Sequence, residues 1–102
     1  MIARIWRGWA EPGSADDYER HFADEVTRAL SGVPGFGQAR LLRGTDGDRV
    51  LFTSLTFFTD LDAVRAFAGA DVGRAVVAGP ARAALVAWDE RVTHHEVVVV
   101  AG

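Results

Sequence analysis

The chain contains no cysteine, no lysine and no asparagine, and only three prolines and one methionine among its 102 residues. Without cysteine, disulfide bonds, thiolate nucleophiles and cysteine-bound metals are excluded. We therefore expect a cytoplasmic protein, since disulfides belong to oxidising compartments. Without lysine there is no Walker phosphate loop, and the glycines around residues 32–37 lack the GxGxxG spacing of a dinucleotide site.

Basic clusters and long apolar runs are also absent. The formal net charge is −3, and the arginines are scattered along the chain rather than gathered in the basic stripe of a nucleic-acid-binding protein. The start, MIARIW, lacks the basic region and long apolar stretch of a signal peptide. No apolar run approaches the roughly 20 residues that cross a bilayer. We expect neither a nucleic-acid nor a membrane partner.

The first half of the chain predicts a strand, a helix and a hairpin. Residues 2–10 mix β-branched and aromatic residues with arginine, which is typical of a strand. Ser14 is a good helix N-cap, and the apolar spacing that follows predicts a helix over residues 15–31, ended by Gly32 and Pro34. Strands are predicted over residues 36–43 and 50–58, joined by a turn at residues 45–48, where Asp-Gly favours the positive φ of tight hairpins.

The second half predicts another helix and a last strand. Thr59 or Asp60 caps the helix, and Gly69 ends it. Short helical segments are predicted at residues 72–77 and 81–86, and a strand at residues 89–100. The β-α-β-β-α-β order predicts an α+β, ferredoxin-like antiparallel sheet with helices on one face, in a single domain spanning residues 1–102.

The valines at residues 97–100 place apolar side chains on both faces of the last strand. A strand buried on one face should alternate apolar and polar residues. Either this strand is central in the sheet, or a second subunit covers its other face. We expect a homodimer, because an open four-stranded sheet would otherwise leave a large apolar face in water.

Serine catalysis and metal binding find little support in the sequence. Ser14, Ser31 and Ser54 do not lie in a nucleophile elbow. No metal site is expected: His94 and His95 are neighbours on a predicted strand and point to opposite faces. His21 and Glu25, one helical turn apart, are expected to form a solvated pair rather than a metal site.

A pocket between sheet and helices is the remaining possibility. Aromatic side chains could line it, with plain core packing as the alternative: Trp6, Phe36, Phe58, Phe67 and Trp88. Polar residues interrupt the apolar strands and could face either the pocket or solvent: Arg4, Gln38, Arg40, Thr53, His94 and Glu96.

Five segments, in this order, give the chain a family resemblance: MIARIWRGW, EPGSADDYE, VPGFGQARLLR, LTFFTDLDAVRAFAG and DERVTHHEV. They resemble the antibiotic biosynthesis monooxygenase superfamily, the dimeric α+β barrel proteins, over nearly the whole chain. The resemblance implies a ferredoxin-like protomer, a homodimer and a pocket for small aromatic ligands. Characterised members oxidise flat aromatic polyketides with dioxygen and use neither metal nor flavin; others degrade haem.

The chain departs from the family pattern at positions that the resemblance makes important. Oxygenase and haem-degrading members use an asparagine on the first strand and a tryptophan on the second helix. The corresponding residues here are Trp6 and Phe67, and the histidine of the haem degraders is missing from residues 74–77. We therefore do not expect haem degradation.

The predicted activity is a cofactor-independent monooxygenase-like reaction on a small aromatic metabolite. A histidine is the best available base, since imidazole titrates near neutrality. His94 or His95 is the candidate, with Arg40 or Arg4 holding an anionic oxygen. The alternatives are a non-catalytic binding or accessory protein, and a cyclase or isomerase that uses the same pocket.

Overall fold

The computed structural model describes all residues, 1–102, and centres on an antiparallel sheet. Its strands are β1 (Ile2–Ala10), β2 (Phe36–Asp46), β3 (Arg49–Phe58), β4 (Ala87–Trp88) and β5 (Thr93–Glu96). The order is β2-β3-β1, and both β4 and β5 pair with the free edge of β1. The predicted α+β class and antiparallel sheet are confirmed.

The long helix α1 occupies residues 15–31, as predicted, but it is not uniformly α-helical. Two α-helical parts, Ala15–His21 and Thr27–Ser31, flank a π-helical turn, Phe22–Val26. Ser14 does not cap the helix with its side chain. It ends the 3₁₀ turn Pro12–Ser14, where its backbone lies in the αR region rather than the extended conformation usual for an N-cap.

The second helix, α2 (Leu61–Ala68), begins and ends where the sequence predicts. The Asp60 carboxylate accepts a hydrogen bond of 2.9 Å from the Ala63 amide, and Gly69 follows the last helical residue at a φ of +91°. The segment Pro34-Gly35-Phe36 packs against the start of α2. Gly35 has a φ of +86°, and a Cβ there would lie 2.6 Å from Oγ1 of Thr59, so only glycine fits.

Buried and partly exposed side chains alternate along β3, so the sheet has one side that faces the helices and one outer side. Every second residue of β3 is buried against the helices, from Val50 to Phe58. The core forms two clusters on this side, one around Phe52 and Tyr18 and the other around Phe58, Leu30 and Val64. The helices therefore cover one face only, as predicted.

The segment between α2 and β5 differs from the prediction. Residues 72–77 form no helix but an irregular stretch that crosses the end of β1, and a short helix, α3 (Gly79–Ala84), follows it. The Ala75 amide donates to the Glu90 carbonyl at 3.0 Å, and the Val92 amide donates to the Gly73 carbonyl at 2.8 Å. Backbone pairing with residues 90–92, not helical periodicity, therefore determines this stretch.

The last strand also differs from the prediction for residues 89–100. It is divided into β4 and β5, and the backbone beyond Glu96 is not in the sheet except for a bond from the Val97 amide to the Met1 carbonyl. Both pieces pair only with β1 at the sheet edge, so the central-strand alternative is wrong. The side chains of Val98, Val99 and Val100 are 80–86% exposed.

The outer side of the sheet carries apolar side chains that no helix covers. Ile5, Leu55 and Phe57 are partly exposed there, and Leu42 is 49% exposed. None of the helices combines the length and hydrophobicity that crossing a membrane would need.

Candidate functional site

A cavity of about 260 Å³ lies between the helix-facing side of the sheet and α1, and the segment that links α2 to α3 contributes to its wall. Its walls are largely apolar. The polar side chains that reach it come from three elements: Arg4, Tyr18, His21, Glu25, Ser54 and Thr56. A mostly apolar cavity with a few converging polar groups is the usual form of a small-molecule site.

Arg4 is the most deeply buried charged side chain of the cavity, with 4% of its surface exposed. Two backbone carbonyls of the irregular segment hold its guanidinium. Nη1 donates to the Val72 carbonyl at 2.6 Å, and Nη2 donates to the Arg74 carbonyl at 2.9 Å. The ring of Phe67 lies 5.8 Å below the guanidinium carbon. The segment predicted as helix therefore positions the cavity's cation.

No carboxylate neutralises Arg4: it appears in none of the salt bridges of the structure. Burial lowers the pKa of Arg4 to about 10, which still leaves it charged at neutral pH. Buried charges are normally paired, because removing an ion from water is costly. The cavity therefore has a positive charge whose anionic partner is absent from the chain itself.

Aromatic and hydroxyl groups surround this charge. Trp6, next to Arg4 on the same side of β1, donates from Nε1 to the Asp89 carbonyl at 2.8 Å. Ser54 and Thr56 face Trp6 and Arg4 across the β1–β3 pair. Burial raises the pKa of Tyr18 above its usual range, so its hydroxyl stays neutral and can donate a hydrogen bond.

The sequence predicts a solvated pair of His21 and Glu25. The two side chains are in contact, as predicted, but the prediction that His21 is solvated is wrong. Its side chain is only 7% exposed and contributes to the cavity wall, while the Glu25 side chain is 58% exposed. Nδ1 of His21 lies 3.1 Å from Oε2 of Glu25, yet it is buried without a hydrogen bond. The π-helical turn Phe22–Val26 begins directly after His21, and such turns are frequent at functional sites.

Besides Arg4, three residues were predicted to act chemically, and they occupy different places. His94 lies opposite Arg4 in the β1–β5 pair, and its Nε2 is 3.1 Å from Nη1 of Arg4. His95 is exposed on the other face and contacts Oγ1 of Thr93. Arg40 is exposed opposite Leu55, on the outer side of the sheet. The structure brings His94 to Arg4 but puts His95 and Arg40 away from the cavity.

The aromatic candidates divide in the same way. Trp6 and Phe67 line the cavity. Phe36 and Phe58 instead pack edge to face at 5.9 Å in the second core cluster, and Phe58 is fully buried. Trp88 packs against the first cluster, with the Arg82 guanidinium over its ring. All five pack against the core on the helix-facing side of the sheet, but only Trp6 and Phe67 line the cavity.

Several cavity residues were not singled out from the sequence. Ser54 and Thr56 lie between Phe52 and Phe58 at the buried parity of β3, which marks two hydroxyls on an apolar face. Tyr18 belonged to the apolar stripe of α1, where a tyrosine carries a polar group into the core. The available sequence signal was a polar side chain at a position that the strand or helix periodicity predicts to be buried.

Comparison with protein families gives one match. The model of the family described as antibiotic biosynthesis monooxygenase matches residues 1–79. No curated protein matches the chain. The matched range covers β1, α1, β2, β3 and α2, and it contains most of the residues that line the cavity.

Solved structures with the same fold include three instructive ones. A putative antibiotic biosynthesis monooxygenase from Caulobacter crescentus has a TM-score of 0.71 at 18% identity, covering 96% of this chain and 90% of that one. The haem degrader MhuD from Mycobacterium tuberculosis, with two haems bound, has a TM-score of 0.67 at 24% identity and covers both chains fully. SnoaB, a cofactor-independent oxygenase from Streptomyces nogalater, has a TM-score of 0.65 at 21% identity, covering 97% and 95%. These likenesses establish the fold.

Proposed function

Because the chain belongs to the antibiotic biosynthesis monooxygenase family, we propose that it is a cofactor-independent monooxygenase-like protein that acts on a small aromatic, polyketide-type metabolite. The observation that carries the proposal is Arg4, a buried cation without a carboxylate partner in a cavity whose other walls are mainly apolar. A flat ring system with an ionisable oxygen complements both features.

The size of the cavity limits the ligand. At about 260 Å³ it lies just below the roughly 300 Å³ at which pockets for drug-sized molecules begin. This favours a compact ring system over a macrocycle such as haem. Trp6 and Phe67 supply aromatic surface, and an anionic oxygen directed at Arg4 would fix the orientation of the ring.

The chemistry requires only a deprotonated substrate and dioxygen. A phenolate or enolate donates an electron to dioxygen, and recombination forms a carbon–oxygen bond at the activated ring carbon. One oxygen atom stays on that carbon as a carbonyl, and the other leaves as water with the two hydrogens that the carbon loses. Arg4 stabilises the anion on which this reaction depends, and the apolar walls exclude bulk water.

We place the protein in a homodimer, as expected from the sequence. The partly exposed residues Ile5, Leu55 and Phe57 form an apolar outer face on the sheet, and Val98–Val100 extend from its edge with almost fully exposed side chains. Large exposed apolar patches are typical of interaction sites. A second copy of the chain, presenting the same face, would cover both the outer face of the sheet and the exposed valines.

The alternative functions have a specific observation in their favour. The positions at which the family resemblance expects asparagine and tryptophan are occupied by Trp6 and Phe67, and both line the cavity. A non-catalytic binding or accessory protein would keep the pocket but would not need the asparagine and the tryptophan. A cyclase or isomerase would need proton transfer but no dioxygen.

An oxygen-dependence experiment tests the proposal. The purified protein is incubated with 1,8-dihydroxyanthrone under air and under argon, and quinone formation and oxygen uptake are compared with a protein-free reaction. We expect protein-dependent quinone formation under air only. Arg4→Gln should lower the rate by about tenfold or more, whereas Arg28→Gln, which removes an exposed arginine of α1, should leave it unchanged.

Each other outcome assigns a different function. A rearranged product that also forms under argon would point to a cyclase or isomerase. Thermal stabilisation by the anthrone without turnover would point to a binding protein. An equal rate for the wild type and Arg4→Gln, with both folded, would overturn the role given to Arg4.

A further inference from the structure

We infer that His21 is the proton acceptor of the cavity and that Glu25 positions its imidazole and stabilises the charge that it gains. The inference rests on the proposed function, since it names the base which that reaction requires. It is carried by the burial of His21, the contact of its Nδ1 with Glu25 and its place in the cavity wall.

The two ring nitrogens of His21 have different surroundings. Nδ1 is buried 3.1 Å from a carboxylate oxygen of Glu25 and makes no hydrogen bond. A carboxylate at this distance favours the tautomer with the proton on Nδ1, because a second lone pair there would be repelled. The free lone pair is then on Nε2, the nitrogen left for a molecule in the cavity.

Glu25 also suits the state that follows proton transfer. When Nε2 takes a proton, the imidazole becomes a cation with its Nδ1–H beside the Glu25 carboxylate. The other titratable side chains that line the cavity are Tyr18 on α1, whose ring centre is 6.2 Å from that of His21, and Arg4 on β1. Tyr18 stays neutral, so Glu25 is the only anionic side chain that lines the cavity.

The proton-transfer step balances within the cavity. The O–H bond of a phenolic ligand breaks, its electron pair stays on the oxygen, and an N–H bond forms at Nε2 of His21. The products are a phenolate, which Arg4 stabilises, and an imidazolium, which Glu25 stabilises. No cofactor or external base takes part, and the cavity as a whole keeps its charge.

His94 is less suited to this task. Its Nε2 already contacts a guanidinium that can only donate hydrogen bonds, so that nitrogen must act as the acceptor for Arg4. Protonating Nε2 would set two cations against each other. His94 is therefore a positioning residue for Arg4, and His21 is the imidazole with a nitrogen free for a ligand.

Measuring where the proton goes when 1-naphthol binds tests the inference without requiring turnover. At about pH 8, binding to the wild type should produce the naphtholate absorption band. No net proton should be released, as judged by calorimetry in buffers of different ionisation enthalpy. ¹⁵N spectra should place the new proton on Nε2 of His21.

The variants separate a base from a structural histidine. His21→Gln should bind 1-naphthol with several-fold less naphtholate or release the proton to the buffer. Glu25→Gln should weaken the imidazolium signal, and Asp24→Asn, a neighbouring exposed carboxylate, should behave as the wild type. If His21→Gln is unfolded, the ¹⁵N shift in the wild type decides alone.

Two results would overturn the inference while leaving the proposed function intact. One is the same naphtholate fraction and proton release in the wild type and in His21→Gln. The other is a His21 imidazole that remains neutral while naphtholate is bound. Failure of the wild type to bind 1-naphthol at all would instead overturn the aromatic pocket, and this inference with it.

Discussion

Nε2 of His94 lies 3.1 Å from Nη1 of Arg4, and only one protonation state of the imidazole makes this contact favourable. Because a guanidinium has no acceptor, His94 must be neutral, with its proton on Nδ1. Burial, and then the charge of Arg4, lower the pKa of His94. The same contact links the C-terminal strand β5 to the cavity through Arg4.

The first prediction is that His94 makes the free energy of unfolding depend on pH. Its pKa is lower in the folded protein, so the unfolded chain binds the proton more readily. The free energy of unfolding should therefore fall as the pH drops below about 6.5, the ordinary value for histidine. Urea unfolding between about pH 7.5 and pH 5 measures this decline. A His94→Gln variant should decline less, and identical pH profiles would contradict the assignment.

The second prediction concerns the position of Trp6 in the cavity wall. A Cβ on Gly8 would lie 2.9 Å from Cη2 of Trp6 and 3.1 Å from Cδ1 of Leu85. Gly8→Ala should therefore displace the indole and cost about 1–3 kcal/mol of stability. It should also weaken the binding of 1-naphthol, measured by fluorescence titration. Gly44→Ala in β2, where an added Cβ meets nothing within 4 Å, is the matched control; an equal affinity in both variants would show that Trp6 does not shape the site.

Much of the fold could be predicted because local chemistry and periodicity agree in it. The π-helical turn leaves the bounds of α1 unchanged, and the Asp60 cap and Gly69 fix α2. The hairpin predicted at residues 45–48 was located in the same way, since Gly47 takes the positive φ that the turn needs, although Thr45 and Asp46 extend β2. In each case the signal lies within a few residues of the structure that it determines.

The site could be predicted only in part, because its geometry depends on distant residues. Arg4 is held by the carbonyls of Val72 and Arg74, nearly 70 positions away, and no local pattern marks a carbonyl as a ligand. His21 occurs one helical turn before Glu25, as in many solvent-exposed pairs. Its side chain is nevertheless 7% exposed and lines the cavity, and the i,i+4 spacing alone does not reveal that burial.

The third prediction concerns the outer face of the sheet. Leu55 lies at its centre, between Ile5 of β1 and Arg40 of β2. If a second copy covers this face, Leu55→Glu buries a charge at the interface and should shift the protein from dimer to monomer, measured by sedimentation velocity. Ala23→Glu, on the exposed side of α1, should leave the dimer intact. A wild type that sediments as a monomer at micromolar concentration would contradict the proposed assembly.

The fourth prediction separates core aromatics from cavity aromatics. Phe58 has no exposed surface and packs between Phe36 and Phe67, with ring centres 5.9 and 6.1 Å away. Phe58→Leu should therefore cost about 1–2 kcal/mol in urea unfolding through lost packing, and the affinity for 1-naphthol should change little.

Phe67→Leu should have the opposite effect: a larger loss of affinity for 1-naphthol than of stability. Phe67 lines the cavity, is partly exposed and lies beneath the Arg4 guanidinium. Its truncation should lower affinity more than stability, because the lost ring surface faces the ligand and the charge above it loses an aromatic partner. The two variants remove the same atoms from neighbouring rings, so the comparison isolates location. Equal effects on affinity would mean that the ligand reaches Phe58 as well, and that the cavity opens further into the second core cluster when it is occupied.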